Sequence, residues 1–265
     1  MPPLYPKMRE RPPGFRINPA WPLYDNLAFC LFVQPQLSLR QADISPYSRT
    51  AVPAAGVSQA NIMFSPHLMR FSSYSGSNTQ YLAFGNGRLS IGAAFTVCAF
   101  GRLFATPSAY TRIFSKHQFG GYGLSTGING GGGEYSPPFV GFSTNGTDWN
   151  TVFAASDAIA QPYVWRHYAF IRNGSVGRLF LDGKEYVGGD FPKTNWPSGA
   201  VFQGSQEIRV ASDAYIGGDS FQPAEYADVM VFNVPLPPSV IEQLADPSNV
   251  DLRVAGIPLI LPPRR

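Results

Sequence analysis

The sequence predicts an all-β protein built from antiparallel strands, and three observations support this fold class. Charged residues make up only 14% of the 265 residues, whereas 27 glycines and 25 prolines are present. That composition, with 14% aromatic residues, is typical of many short strands joined by tight turns. The stretch 163–190 alternates apolar and polar side chains with a period of two, as half-buried strands do. The length fits one sandwich with a sizeable core.

The stretch 163–190 predicts a meander of three strands. Asn173-Gly174 and Asp182-Gly183 mark hairpin turns, because Asn, Asp and Gly tolerate positive φ. The strands are therefore expected at 163–172, 177–182 and 184–188. Trp165 is predicted to pack between two sheets, with its indole N–H bonded to a backbone oxygen.

Four segments carry a family resemblance. WRHYAFIRNGSVGRLFLDGKEYVGG resembles the signature of laminin-G-like domains of the concanavalin A-like superfamily. DAYIGGDSFQPAEYADVMVFNVPLPPSVIEQL is similar to that family's last core strand and following helix, and FTVCAFGRLFATPSAYTRIFSKHQFGGYGL to its early strand pair. FRINPAWPLYDNLAFCLF resembles the first strand of the family's phage-type branch. The resemblance implies a two-sheet antiparallel jelly-roll sandwich of about a dozen strands.

The remaining elements follow from shorter patterns. Further strands are expected at 95–103, 111–116, 139–143, 151–154, 208–216 and 227–232, and a strand–turn–strand unit across 69–84. One short helix is predicted at 237–245, because Pro238 suits a first turn and Val240, Ile241 and Leu244 share one face. The four glycines at 130–133 predict a hairpin tip or rim loop.

The chain divides into three predicted parts: an N-terminal arm (1–13), the sandwich (14–252) and a C-terminal arm (253–265). Proline fixes φ and lacks an N–H donor, so both proline-rich arms are expected to be extended. They either dock on their own domain or are captured by neighbouring subunits, which is the favoured interpretation. The apolar anchors and basic partners for such capture are Leu4, Tyr5, Ile257, Leu259, Ile260, Leu261, Arg264 and Arg265.

Charge and hydropathy exclude several classes of partner. The net charge of +3 is not clustered, so no nucleic-acid groove is expected. No apolar run approaches the length of a membrane-spanning helix, and the N-terminus lacks the apolar core of a signal peptide. The protein is therefore expected to be made in a host cytoplasm. Cys30 and Cys98 lie in apolar strand-like runs, and are either two buried thiols or a disulfide.

No catalytic constellation is evident, so the chain is predicted not to be an enzyme. His67, His117 and His167 are too scattered for metal-ligand spacing, and His167 is interpreted as a structural residue of the sheet. Enzymes with a jelly-roll fold can hydrolyse glycosides with two carboxylates that face each other. Here Asp182, Glu185 and Asp190 lie around a turn instead of along one strand face.

The resemblance implies two kinds of rim site. Relatives often bind Ca²⁺ there through carboxylates, but this chain has Phe71-Ser72-Ser73 and Ala227-Asp228 where they carry more acids. No metal or other cofactor is therefore favoured, and any ion would be held by Asp213, Asp219 and Asp228. Sugars stack on exposed aromatic rings. The aromatic residues in loop-like contexts are Tyr135, Trp149, Trp196, Phe221 and Tyr226.

The favoured function is a virion structural protein of a tailed phage, decorating the capsid or sitting on the tail. It would be attached through the arms and an apolar face to other virion proteins, as a homo-oligomer on the particle, with a rim that binds a cell-surface glycan. This expectation rests on the fold resemblance and the arms. The alternatives are a free carbohydrate-binding module or adhesin, and a lectin-fold glycoside hydrolase.

Overall fold

The computed structural model describes residues 16–17, 21, 23–32, 43, 45–51, 62–65, 68–71, 81–85, 87, 89–104, 111–118, 121–128, 137–154, 163–212, 224–246 and 259–260. In chain order the strands are β1 (Arg16–Ile17), β2 (Leu27–Leu31), β3 (Ile62–Ser65), β4 (Leu68–Phe71), β5 (Leu82–Ala83), β6 (Ala94–Leu103), β7 (Thr111–Gln118), β8 (Gly121–Ile128), β9 (Pro138–Phe142), β10 (Asn150–Phe153), β11 (Arg166–Asn173), β12 (Val176–Leu181), β13 (Lys184–Tyr186), β14 (Arg209–Val210), β15 (Ala224–Phe232) and β16 (Leu259–Ile260). The helices are a 3₁₀ turn (Tyr24–Asn26) and α1 (Pro238–Ala245).

Two antiparallel sheets pack face to face. The first has six strands in the order β10-β9-β8-β7-β14-β5. The second has eight, in the order β13-β12-β11-β6-β15-β4-β3, with β2 also paired to β15. Strand β15 is the centre of the larger sheet, because it pairs with β6 along one edge and with β4 and then β2 along the other. This is the antiparallel sandwich that the sequence predicts.

The predicted meander is confirmed. Strands β11, β12 and β13 pair in sequence as an antiparallel unit. At the two turns Gly174 has a φ of 62°, and Asp182 and Gly183 have φ values of 50° and 82°. The hairpin dipeptides were therefore a reliable signal, because the turns require the left-handed backbone that these residues tolerate.

The main core lies between the sheets and is rich in phenylalanine. Phe95 of β6 and Phe142 of β9 face each other across it, with ring centroids 6.3 Å apart in an edge-to-face arrangement. Phe114 and Phe170 are likewise buried in this cluster. The alternation of β6 sends Phe95, Val97 and Ala99 into this core and the residues between them to the outer face.

A second apolar cluster covers part of the outer face of the eight-stranded sheet. Ile241 and Leu244 of α1 pack there with Ile171, Phe180 and Phe232. We call this region the helix-covered half. It confirms the predicted apolar face of α1, whose three buried residues are Ile241, Leu244 and Ala245.

Cys30 and Cys98 lie in the helix-covered half and are not joined by a disulfide. Met230 of β15 is opposite Cys30 of β2 on one side and opposite Cys98 of β6 on the other. One strand therefore separates them. Two strand spacings amount to roughly 9–10 Å between Cα atoms, beyond the ~7 Å that a disulfide can bridge. Burial raises the pKa of the Cys98 thiol, with a smaller contribution from Asp228.

The prediction for Trp165 is wrong, and Trp196 takes the predicted place. Strand β11 begins at Arg166, and Tyr168 and Phe170 point into the core, so the alternation puts Trp165 on the outer side. Trp165 is half-buried there, and its indole Nε1 has no hydrogen-bond partner among the described residues. Trp196 is 5% exposed and packs edge-on against Phe142, with centroids 4.9 Å apart.

The two ends of the chain meet in a two-stranded ladder. Arg16 pairs with Ile260 and Ile17 with Leu259, in antiparallel register. Part of the predicted C-terminal arm thus binds its own chain. The other predicted anchors, Leu4, Tyr5, Ile257, Leu261, Arg264 and Arg265, lie outside the described residues. In the described part of the chain, no helix has the length and apolar character needed to cross a membrane.

Candidate functional site

The structure describes three of the five aromatic residues predicted to bind glycans, and two of those are in the core. Trp196 is the inter-sheet residue described above. Tyr226 is 1% exposed and packs against Phe71 with ring centroids 6.0 Å apart. The loop-like interpretation of Tyr226 was wrong because β15 begins at Ala224, not at Ala227. Neither ring presents a face to solvent. Tyr135 and Phe221 lie outside the described residues.

Trp149 is half-buried beside the six-stranded sheet. Its ring covers Gly141 of β9, where an added Cβ would lie 2.3 Å from Cζ2 of the indole. Val140 and Phe142 point into the core, so Gly141 and Trp149 are on the outer side of this sheet. Trp149 thus stays a candidate for sugar contact, although one side of its ring already packs on the strand.

Of the three candidate metal ligands, the structure describes only Asp228. Asp228 occupies a β-bulge of β15, where the register shifts between Ala227 and Met230 and its own φ is 52°. Asp213 and Asp219 fall outside the description. Within the residues described, no three His, Cys, Asp or Glu side chains form a group that could hold a metal ion.

The carboxylates considered for hydrolysis bind basic groups at the turns of the meander. Asp182 accepts a hydrogen bond from Nη1 of Arg166 at 2.6 Å and another from the backbone N–H of His167 at 2.9 Å. Glu185 lies 3.5 Å from Nε of Arg178. These contacts are those of turn and strand-pairing residues, and Asp190, the third carboxylate considered, lies in the turn that follows β13.

A different cluster occupies the outer face of the eight-stranded sheet, beyond the helix-covered half. We call it the aromatic–arginine surface, and it consists of Arg70, Arg102, Phe104, Tyr163 and Trp165 around Glu225. The strand register assembles it, because Glu225 of β15 lies opposite Arg70 of β4 on one side and Arg102 of β6 on the other. Side chains directly opposite on one face of a sheet are neighbours.

Glu225 holds both arginines. Its Oε1 accepts from Nε of Arg70 at 2.6 Å and from Nη2 of Arg70 at 2.5 Å. Its Oε2 accepts from Nε of Arg102 at 2.7 Å, and Nη2 of Arg102 also reaches it. The Glu225 side chain is fully buried, that of Arg102 is 9% exposed and that of Arg70 is 32% exposed. A buried carboxylate requires such pairing, because removing charge from water is costly.

Aromatic rings alternate with the two guanidinium groups. The Cζ atoms of Arg70 and Arg102 lie 4.9 Å and 5.5 Å from the ring centroid of Phe104. Arg102 also lies 5.3 Å from the ring centroid of Trp165. These distances are within the range of cation–π attraction. The stacking and the ion pairs together fix the planes of both guanidinium groups.

Tyr163 is the most accessible part of this surface. It is 65% exposed, and its ring centroid is 6.3 Å from that of Phe104. Its backbone has a φ of 65°, and its N–H donates to the carbonyl oxygen of Leu103 at 2.7 Å. A bulky residue in the left-handed region is strained, and such strain is concentrated at functional sites. The exposed ring of Tyr163 on a strained backbone is therefore the feature that marks the site.

Sequence reasoning missed this cluster, although a signal was present. Arg70, Arg102 and Glu225 are charged residues inside otherwise apolar strands. A charge in such a strand is stable only if it is paired or reaches solvent. The pairing itself was not visible, because 155 residues separate Arg70 from Glu225 and 123 separate Arg102 from Glu225.

His167 lies on the same outer face, next to this surface. It is 1% exposed and its ring centroid is 4.9 Å from that of Phe100. Burial lowers the pKa of its imidazole to about 3, because the charged form would be desolvated. The structural interpretation of His167 agrees with this environment.

Comparison with known proteins agrees with the sandwich. The model of a laminin G family, described as the concanavalin A-like lectin/glucanases superfamily, matches residues 76–242. No curated protein matches the chain.

Solved structures of similar fold include toxin binding domains and a sialidase. The binding domain of Paraclostridial Mosquitocidal Protein 1 has a TM-score of 0.60 and 15% identity, over 84% of this chain and 52% of that one. The ligand binding domain of botulinum neurotoxin serotype D, solved with N-acetylneuraminic acid, has a TM-score of 0.56 and 12% identity, over 84% and 51%. Trypanosoma rangeli sialidase, solved with 2,3-difluorosialic acid, has a TM-score of 0.53 and 14% identity, over 83% and 33%. The chain thus spans about half of the toxin domains and a third of the sialidase.

Proposed function

Because this chain belongs to the concanavalin A-like lectin/glucanase superfamily, we propose that it is a carbohydrate-binding domain whose glycan site is the aromatic–arginine surface. One observation carries the proposal. The ring of Tyr163 is presented to solvent by a strained left-handed backbone, beside Phe104, whose ring in turn lies against Arg70 and Arg102. A neighbour of the same fold that is a ligand-binding domain solved with a sugar supports the choice of ligand class.

The surface offers both contacts that a sugar requires. The apolar face of a pyranose packs on an aromatic ring, and Tyr163 provides such a ring with most of its area exposed. Sugar hydroxyls accept hydrogen bonds, and Arg70 provides N–H donors in a fixed plane at the same place. Both partners are already oriented by the strands behind them, so less conformational freedom is lost on binding.

Binding without hydrolysis is part of this proposal. At the aromatic–arginine surface the described carboxylate is Glu225, which is fully buried and bonded to both arginines. Acid–base hydrolysis of a glycoside uses two carboxylic groups that face the scissile bond. Glu225 serves as an anchor for the arginines, and the domain is accordingly proposed to recognise a glycan and leave it intact.

A matched pair of tyrosine variants tests the site. Tyr163→Ala should weaken binding in a glycan array and in calorimetry by about tenfold or more, as expected for an aromatic residue at the centre of a contact. Tyr47→Ala is the control, because Tyr47 is also exposed, at 42%, and stacks at 4.5 Å with Arg49, which is bonded to the carbonyl oxygen of Ala28 in β2 and is not part of this surface. Equal losses in the two variants would refute the assignment, as would full binding by Tyr163→Ala.

The virion role predicted from the sequence is the second candidate, and one observation favours it. The ladder of β1 and β16 places Arg16 opposite Ile260, so that the segments before Arg16 and after Ile260 connect to the domain at one point. A single attachment point suits a protein that binds a particle by its ends and presents a glycan-binding surface to a cell. In this proposal the domain is a decoration or tail protein of a tailed phage and contacts other virion proteins through its arms.

Truncation tests the virion role separately from the glycan site. Deleting residues 1–13, or residues 261–265 so that β16 is kept, should leave the melting temperature nearly unchanged and reduce occupancy on phage particles. Full occupancy of the doubly truncated protein would assign attachment to another surface. Failure of the full-length protein to incorporate into particles would contradict the virion role and leave the glycan site as the function.

A further inference from the structure

We propose that the aromatic–arginine surface selects saccharides that carry a carboxylate, with Arg70 as the group that binds the acid. The inference rests on the proposed carbohydrate-binding function and specifies its ligand class. It assigns distinct tasks to the charged residues of the cluster. Arg70 contacts the ligand, whereas Glu225 and Arg102 are positioning residues.

The charge that this surface presents to solvent is positive. Two guanidinium groups share one carboxylate, because each oxygen of Glu225 is bonded to a different arginine. Glu225 is fully buried, whereas the Arg70 side chain is 32% exposed, so the accessible charged group beside the ring of Phe104 is a cation. A local positive potential favours an anionic ligand over a neutral one.

Exposure distinguishes the two arginines. The Arg70 side chain is 32% exposed, whereas that of Arg102 is 9% exposed. The bonds of Arg70 to Glu225 use Nε and Nη2. A guanidinium has five N–H donors, so the donors on Nη1 remain for a ligand. Arg70 is thus both accessible and only partly occupied by its internal partner.

The orientation of Arg70 is set before a ligand arrives. Glu225 binds one edge of its guanidinium, and the ring of Phe104 lies 4.9 Å from its Cζ. A held side chain loses little rotamer freedom on binding, whereas a solvated arginine loses much more. Hydrogen bonds between a cation and a carboxylate are roughly twice as strong as those to a neutral acceptor. We therefore expect an acidic sugar to bind about tenfold more tightly than its neutral counterpart.

The test compares acidic sugars with their own carboxyl-reduced forms. Three probe pairs are used, terminating in glucuronic acid, galacturonic acid or a nonulosonic acid, each beside the same oligosaccharide with the carboxylate reduced to an alcohol. Calorimetry gives Kd for each probe with the full chain. The wild-type protein should prefer the acidic member of at least one pair by about tenfold, and this preference should shrink as salt rises from about 50 to 500 mM.

Three variants assign the preference to individual residues. Arg70→Gln should abolish the acid preference, because the acidic member of each pair loses a charge-assisted bond and the neutral member loses only an ordinary hydrogen bond. Glu225→Gln removes the carboxylate that orients Arg70, so it should lower the acid preference although it leaves the surface more positive. Arg178→Gln is the control, because Arg178 is 47% exposed on the same sheet and pairs only weakly with Glu185. If Arg70→Gln does not fold, Arg70→Lys keeps the charge but removes the planar donor group, and a reduced preference is still expected.

The outcomes separate this inference from the proposed function. Equal affinity for acidic and neutral sugars would overturn the inference and leave carbohydrate binding intact. Absence of binding to every probe and to a glycan array would overturn both. A loss of preference in Arg178→Gln as large as in Arg70→Gln would show a general charge effect and overturn the assignment to Arg70.

Discussion

The two halves of the outer face of the eight-stranded sheet are built from the same strands and differ in chemistry. Strand β6 contributes Cys98 to the helix-covered half and Arg102 to the aromatic–arginine surface. Strand β15 contributes Met230 to the former and Glu225 to the latter. Cys98 and Arg102 share the outer face by alternation, and the β-bulge between Ala227 and Met230 puts Met230 on the same face as Glu225. What lies above the sheet differs, since α1 covers one half and an exposed ring borders the other.

Whether a helix covers the outer face of the sheet determines whether the side chains on that face are apolar or charged. Beneath α1 an unpaired charge would be desolvated, and the side chains there are apolar. Beyond α1 the sheet keeps charged side chains because the register supplies each with an opposite partner. That arrangement stabilises the fold less efficiently than apolar packing, as buried ion pairs generally do. Paired charges are nevertheless suited to a binding surface, because such a surface needs polar groups that are held in a fixed orientation near solvent.

The largest effect should come from the shared carboxylate. Glu225→Ala removes the buried carboxylate that binds both Arg70 and Arg102, and we expect a loss of roughly 3–5 kcal/mol in the free energy of unfolding measured in urea. The control is Glu185→Ala, whose 3.5 Å contact with Arg178 is solvated. That exposed pair should contribute less than about 1 kcal/mol. Similar losses in the two variants would show that the buried cluster has no special energetic role.

Aromatic truncation in the two halves should differ in size. Phe180→Ala removes a fully packed ring beneath α1, for an expected loss of about 3–5 kcal/mol. Trp165→Ala removes a half-buried ring, and we expect about 1–2 kcal/mol from reduced packing and the lost contact with Arg102. Urea denaturation of both variants measures the difference. A larger loss of unfolding free energy for Trp165→Ala than for Phe180→Ala would show that Trp165 is packed in a core.

His167 lies on this outer face and makes stability depend on pH. In the unfolded chain its pKa is about 6.5, and in the folded protein burial lowers the pKa to about 3. Between these values the unfolded state binds a proton that the native state does not. Above pH 6.5 the contribution of His167 to the free energy of unfolding does not change with pH. Below pH 6.5 the free energy of unfolding falls by about 1.4 kcal/mol per pH unit, or about 2 kcal/mol by pH 5.

Urea midpoints between pH 7.5 and 5 measure this dependence, and His167→Phe is the variant that isolates it. Phenylalanine keeps an aromatic ring against Phe100 and cannot be protonated. The slope of stability against pH should therefore become shallower in the variant by about the amount assigned to His167. An unchanged slope would assign the acid sensitivity to other groups.

The smallest expected effect on stability is also the sharpest test of the strained ring. Tyr163→Gly relieves the left-handed backbone and loses little packing, because the side chain is 65% exposed. We expect stability to rise by up to about 1 kcal/mol while glycan binding is lost. Tyr163→Ala keeps the strain and lacks the ring, so it should lose binding without the gain. Melting temperatures and calorimetric titrations of the pair check this.

Much of the fold followed from local patterns. The meander, the hairpin turns at Gly174 and Asp182, and the helix at Pro238–Ala245 were predicted because each depends on neighbouring residues alone. Alternation with a period of two identifies a strand whatever lies beside it. The resemblance of three segments to laminin-G-like domains added the two-sheet arrangement.

The side of the sheet that each residue faces was decided only by the tertiary structure. Tyr226 lies inside because β15 begins three residues before the predicted start, and Trp165 lies outside because Tyr168 and Phe170 take the inner positions of β11. Trp196 enters the core from an irregular segment that has no periodicity to interpret. Arg70, Arg102 and Glu225 become a cluster only when β4, β6 and β15 lie side by side. The sequence determined which segments become strands because that choice is local, whereas the site depends on contacts between residues more than a hundred positions apart.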